Sequence, residues 1–233
     1  MFTIENLHAG YGTGKEVLKG LSLSMETGTI QGFVGLNGAG KTTFLNTLYQ
    51  FIRPSEGRIS YRNAPLRRTD ISYLEATNYF YPYMTGREYL RFFPAGEAGF
   101  DTESWMQLFA LPPDEITETY STGMKKKLAL LAALKPDKPL LILDEPFNGL
   151  DIESVHLLSM ILDQLRTRKK TLLITSHLYE SLSGCCDYIH YLSGGVIARS
   201  YPAGEFSVLR GELQGMMEER FGHSVNELLP DAR

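Results

Sequence analysis

Eight residues, Gly35-Leu36-Asn37-Gly38-Ala39-Gly40-Lys41-Thr42, constrain this chain more than any other stretch. They spell G-x-x-x-x-G-K-[ST], the pattern of a loop that cradles phosphate groups. Upstream, Ile30, Phe33 and Val34 form a short apolar run suited to a buried strand. Downstream, Phe44, Leu45, Leu48, Phe51 and Ile52 recur at helical spacing until Pro54 forbids continuation. The loop needs a strand before it and a helix N-terminus after it. Gly35, Gly38 and Gly40 allow the backbone to turn tightly, so that successive N–H groups face an anion with the helix N-terminus behind them. Lys41 is expected to reach the β- and γ-phosphates, and the Thr42 hydroxyl to ligate Mg²⁺. Asn37, Ala39 and Thr43 complete the expected phosphate-binding set.

The rest of the chain alternates between strand and helix patterns. Residues 2 to 7 and 17 to 25 read as strands, and His8 to Gly14 between them reads as a turn-rich stretch. Tyr11 sits there among glycines, where an exposed ring can stack on a flat base. Residues 57 to 62 and 71 to 74 read as strands, the latter ending at Glu75. An aromatic loop, Asn78 to Tyr83, comes next. Thr85 and Glu88 have the spacing of a capping box for a helix over 86 to 93. Trp105, Leu108 and Phe109 indicate a second helix. Ser121-Thr122-Gly123 opens a third, with Lys125, Lys126 and Lys127 covering its start. Three helices without strands suggest an inserted helical subdomain over residues 76 to 136.

Four apolar residues, Leu140 to Leu143, then lead into Asp144-Glu145. A buried parallel strand that delivers carboxylates at its C-terminal end suits an α/β ligand site. Asp151 is placed to cap a long amphipathic helix built on Val155, Leu158, Ile161, Leu162 and Leu165. Thr171 to Thr175 is the next buried strand, ending in Ser176-His177. Residues 187 to 201 read as a hairpin turning at Gly194-Gly195, and the tail from 203 to 233 carries helix-like stretches without a legible motif.

Composition narrows the function. The formal net charge is −4 and the pI about 5.8, so a general nucleic-acid footprint is not expected. The longest apolar run, Leu128 to Leu134, has seven residues, far short of the roughly 18 that a membrane span needs. The N-terminus lacks a basic segment followed by an apolar one, the pattern of a signal peptide. Cys185 and Cys186 are adjacent, which argues for small buried thiols rather than a disulfide framework.

Taken in order, the phosphate loop at 35–42, the acid-ended strand at 140–145, Asn148-Gly149-Leu150-Asp151 and the strand-end His177 resemble the nucleotide-binding subunit of an ATP-binding cassette (ABC) transporter. That family carries a Leu-Ser-Gly-Gly-Gln signature opening a helix before the acid-ended strand. Leu192-Ser193-Gly194-Gly195-Val196 matches it better by letters, but follows that strand and lies between strand-like segments. Tyr120-Ser121-Thr122-Gly123-Met124 matches less well but lies in the right place and opens a helix, so the signature is assigned there. Its Tyr-Ser-x-Gly-Met-Lys form resembles the ATPases of bacterial ABC exporters with separately encoded membrane subunits.

The resemblance implies an α/β fold: a P-loop NTPase core with a parallel sheet (residues 1–75 and 137–202, including an N-terminal antiparallel β-subdomain), the helical subdomain, and the tail from 203. It implies ATP and Mg²⁺ as cofactors and ATP hydrolysis as the reaction. Asp144 is expected to hold Mg²⁺ through water, Glu145 to act as general base, and His177 to contact the γ-phosphate. Glu75 stands where the family has a glutamine and is an expected metal-site residue. Tyr11 is the expected adenine-stacking residue. Ser121 and Gly123 are expected to contact nucleotide across a homodimer or heterodimer of cassettes, and Asp151 the opposite subunit. A separate membrane subunit is the expected partner, docking on Tyr79 to Tyr83, with the cassette peripheral on the cytoplasmic face of the membrane. The rival readings are a soluble ABC ATPase acting on DNA or ribosomes, and a P-loop kinase or switch.

Overall fold

The computed structural model describes residues 1–12, 14–97 and 99–228, with side chains through Arg220. Its strands form two sheets. The first is antiparallel, in the order β2 (Lys15–Met25), β1 (Phe2–Tyr11), β4 (Glu56–Tyr61) and β5 (Ala64–Pro65). The second runs β10 (Val196–Pro202), β9 (Tyr188–Ser193), β3 (Ile30–Val34), β8 (Thr171–Thr175), β7 (Leu140–Asp144) and β6 (Ile71–Leu74). Only the β9–β10 pair in it is antiparallel. This is the expected α/β architecture.

The apolar runs of β7 and β8 are buried on both faces, as parallel strands require. Leu141, Leu143, Leu172 and Ile174 enter one core, whereas Leu140, Ile142 and Leu173 enter the other. The second core also holds Phe44, Leu45 and Leu48 of α1 (Lys41–Leu48) and the inner face of the antiparallel sheet.

The turn expected over His8 to Gly14 is shorter than read: β1 continues to Tyr11 and pairs through Tyr11↔Lys15. The glycines there serve the strand. A Cβ on Gly10 would lie 2.0 Å from the Lys15 carbonyl, so only glycine permits that pairing. Thr13 lies outside the described residues.

Between β6 and β7 come α2 (Gly86–Arg91), α3 (Thr102–Leu108) and α4 (Thr122–Leu134). α2 starts with the expected box: the Thr85 hydroxyl accepts from Glu88 N–H while the Glu88 carboxylate accepts from Thr85 N–H. Residue 98 of the loop expected over 95–99 lies outside the described residues. After β7, α5 (Ile152–Thr167) is capped by Asp151 as expected. α6 (Tyr179–Ser183) follows β8, and the hairpin turns at Gly194-Gly195 as read.

The tail forms α7 (Phe206–Leu228), which seats Phe206 and Leu209 in the first core. Its Glu212 accepts from the Tyr201 hydroxyl at 2.5 Å and from Arg199 at 2.8 Å. Residues 229–233 of the tail lie outside the described residues. Both cysteines are buried free thiols, as expected. Among the described residues no helix is long and apolar enough to cross a membrane.

Candidate active site

The register of the parallel sheet assembles the site. Leu74 pairs with Leu143, Asp144 with Thr175, and Phe33 with Thr175. The residues that leave these four strands therefore emerge side by side: Glu75, Asp144-Glu145, Ser176-His177 and the loop from Gly35. Ligands of open α/β sheets bind at this carboxyl edge.

Gly40 caps α1 at φ 108° and Gly38 stands at φ 83°, backbone angles that L side chains rarely adopt. Gly35 is required for a different reason, since a Cβ there would lie 2.4 Å from the Leu192 carbonyl. Lys41 Nζ donates to the Gly35 carbonyl at 2.6 Å, so the ammonium is folded over its own loop. Burial pulls its pKa below the usual lysine value, partly offset by Glu145 and Asp144. A cavity of about 380 Å³ is lined by the loop from Leu36 to Thr43 together with Tyr11, Lys15, Val17, Asp144 and Glu145. The Tyr11 ring is half exposed at one side, its hydroxyl 3.5 Å from the Thr43 hydroxyl.

Asp144 is 2% exposed. Its Oδ1 accepts the Thr175 hydroxyl at 2.5 Å, and its Oδ2 is buried with no hydrogen-bond partner. A buried, unpaired carboxylate oxygen is costly. Thr42 lines the same cavity, so the two supply the hard oxygen donors that Mg²⁺ takes. Among the described residues no three His, Cys, Asp or Glu side chains cluster as a metal site. A cation at Asp144 would therefore complete its shell from phosphates and water, as Mg²⁺ commonly does. Glu145 sits at φ 50°, a conformation that costs a non-glycine residue of order 1–3 kcal/mol and persists only where its surroundings enforce it. Its N–H donates to the Thr175 hydroxyl at 3.1 Å, and its Oε2 lies 3.0 Å from His177 Nδ1.

Other expected site residues lie elsewhere. Glu75 follows β6 but does not line the cavity, which its neighbour Ala76 does; it lines a separate groove with Tyr73, Tyr79 and Tyr81. Ser121 caps α4, accepting from Met124 N–H at 3.2 Å. Ser121, Gly123 and Asp151 are outside the cavity. The Asp151 carboxylate accepts from Ser154 and pairs with Lys127 at 3.0 Å, contacts that hold its pKa well below the carboxylate range.

Two residues escaped the sequence reading. Thr175 looked like the last residue of a buried strand, and only its cross-strand pairing with Asp144 reveals its contacts. Lys126 was read with Lys125 and Lys127 as cover for the start of α4, but it is 6% exposed. Its Nζ reaches the Asp144 carbonyl at 3.3 Å and the Glu75 carbonyl at 3.4 Å. The run of three lysines hides this, because only the helical phase separates the inward lysine from its neighbours.

Comparisons with known proteins agree with this geometry. The ABC transporter family model matches residues 18–148, more than half of the chain. ABC transporter ATP-binding protein YtrB of Bacillus subtilis is 32% identical over 189 residues, 77% of this chain and 64% of YtrB. The chain thus spans less than two thirds of that relative's length. Nod factor export ATP-binding protein I of Rhizobium etli is 32% identical over 228 residues, 92% of this chain and 69% of that protein. A solved ATP-binding subunit of an ABC transporter superposes with a TM-score of 0.79 at 26% identity, covering 91% of this chain and 93% of its own. The chain belongs to the ABC transporter family and carries its ATPase domain.

Proposed function

We propose that this chain is the subunit that binds and hydrolyses ATP to power an ABC transporter, acting as a homodimer or heterodimer of cassettes. One observation carries the reading. Phosphate loop, acids and strand-end histidine converge on one sheet edge, while Ser121 and Gly123 of the same chain lie outside the cavity they would complete. A second cassette, head to tail, supplies the missing face.

On this reading the triphosphate lies along the loop N–H groups and draws Lys41 away from the Gly35 carbonyl toward the β- and γ-phosphates. The adenine stacks on Tyr11. Thr42 and Asp144 would hold magnesium, which when bound would supply positive charge against the phosphate oxygens. Glu145 takes the proton of the attacking water, and His177, 3.0 Å from its Oε2, orients that carboxylate and contacts the γ-phosphate. The bond between the γ-phosphorus and the bridging oxygen breaks, leaving ADP and phosphate. Ser121 and Gly123 of the facing cassette offer hydroxyl and N–H donors to the γ-phosphate. Asp151, already tied to Lys127, sits on the same face.

The expected membrane partner is a separate chain. Its docking groove is the cavity of about 550 Å³ lined by Tyr73, Glu75, Tyr79, Tyr81 and Phe92. Tyr79 and Tyr83 are 70% and 84% exposed, and such aromatic surface is unusual without a partner. Glu75 lies in this groove, at the junction of the partner and the catalytic edge. The signature variant and the likeness to a Nod factor export protein favour export. The protein would then sit on the cytoplasmic face of the membrane through its partner.

The test is ATP hydrolysis by the purified chain with its co-expressed membrane protein, with DNA and with ribosomes. Stimulation by the membrane protein alone is expected. Stimulation by DNA or ribosomes alone would favour a soluble ABC ATPase.

A further inference from the structure

One face of α4 is bolted to the segment that carries the acids. A Cβ on Gly123 would lie 3.1 Å from the Gly149 carbonyl, so helix and loop touch backbone to backbone there. Lys126 Nζ reaches the Asp144 carbonyl at 3.3 Å and the Glu75 carbonyl at 3.4 Å. Lys127 pairs with Asp151 at 3.0 Å. Positions 123, 126 and 127 are i, i+3 and i+4, which share one side of a helix. They grip the chain from Asp144 to Asp151 at its start, middle and end.

Of the hydrogen bonds and ion pairs among these, the Lys126 bond to the Asp144 carbonyl is the buried one. A lysine 6% exposed has given up most of its hydration, and its ammonium is held by carbonyl oxygens and by the field of Asp144 and Glu145. Lys125 and Lys127 on either side are only partly buried. The burial therefore places a positive charge and two hydrogen bonds where β6 and β7 end.

We propose that Lys126 is a positioning residue that fixes the Asp144-Glu145 turn relative to the signature helix, so that engagement of Ser121 and Gly123 by nucleotide in the facing cassette is transmitted to the hydrolytic carboxylate of the same chain. The inference rests on the ATPase reading above. Lys126 touches no substrate; it acts through the backbone of Asp144. A shift of α4 would pull on the Asp144 carbonyl through Lys126, next to Glu145 at φ 50°.

The experiment compares wild type, Lys126→Met and Lys126→Arg, each purified as the full chain, with Glu145→Gln as control. Steady-state ATPase rates, affinity for ATP without magnesium, and the thermal midpoint are measured on all four. Lys126→Met is expected to lower kcat at least tenfold while KM and ATP affinity stay within twofold of wild type. Lys126→Arg, which keeps charge and donors, is expected to recover most of the rate. Unchanged kcat in Lys126→Met overturns the proposal. So does a parallel loss of rate, ATP affinity and thermal midpoint that Lys126→Arg fails to rescue, since that is a merely structural role. If wild type itself hydrolyses no ATP, the functional reading fails rather than this one.

Discussion

The Thr175 hydroxyl donates to Asp144 Oδ1 across 2.5 Å, at the point where two neighbouring parallel strands end together. The Thr175 hydroxyl oxygen in turn accepts the N–H of Glu145 at 3.1 Å. One hydroxyl thereby holds the first acid by Oδ1, leaves its buried Oδ2 without a partner among the described residues, and ties down the backbone of the second acid in its left-handed conformation.

Thr175→Val keeps the shape and removes both bonds. It strands a buried carboxylate oxygen and a buried N–H, a penalty of about 1–3 kcal/mol for each unsatisfied group. Urea denaturation should show a loss of that order, with ATP turnover reduced further than stability explains. Thr175→Ser, which retains the hydroxyl, should stay near wild type in both measurements.

Glu145→Gln keeps the side-chain volume and removes the proposed base. Loss of a positioned general base costs about 10²–10⁴ in rate. Turnover should fall by that factor while nucleotide affinity, measured by equilibrium binding, is unchanged. A rate close to wild type would place the base elsewhere.

Tyr81→Ala tests the groove, and Tyr83→Ala the exposed end of the aromatic loop beyond its lining. Both rings are largely exposed, at 53% and 84%, so their removal should leave the fold and ATP binding intact. If the proposed docking holds, co-purification with a co-expressed membrane protein should weaken. Failure of folding together with ATP binding would instead mean that the rings serve the core.

His190 predicts an acid limit to stability. Its ring is buried, with Nε2 2.7 Å from Gln31 Oε1 and Nδ1 2.7 Å from the Ser200 hydroxyl, and burial lowers its pKa to about 4. Near pH 6.5 and below, the unfolded chain takes up a proton that the folded chain refuses. Stability should therefore fall as the pH drops from about 6.5 toward 4, by up to about 3 kcal/mol from this group. Urea midpoints of wild type and His190→Gln should diverge across that window, the variant showing the shallower decline.

What was legible in the sequence is what local chemistry decides. The phosphate loop, the caps at Thr85, Ser121 and Asp151, and the apolar runs of β3, β7 and β8 depend on residues a few positions apart, and the structure has each of them. The hairpin at Gly194-Gly195 could be told from a signature because strand patterns flank it. Features set by distant partners were not legible. Gly10 looks like a turn residue until the Lys15 carbonyl is seen against it. Lys126 looks like solvated surface, and Thr175 like ordinary strand. The tail lacks a clear apolar stripe, and the seating of Phe206 and Leu209 is decided by the core they meet.

The β9–β10 turn carries one more implication. Its Leu192 carbonyl abuts Gly35, while its Gly195 carbonyl accepts Lys19 N–H from β2 at 3.1 Å. The letters that imitate a signature thus rivet the antiparallel sheet to the phosphate seat. On the proposed reading, the sheet bearing Tyr11 at the base and the loop bearing Lys41 at the phosphates are thus braced against the same hairpin.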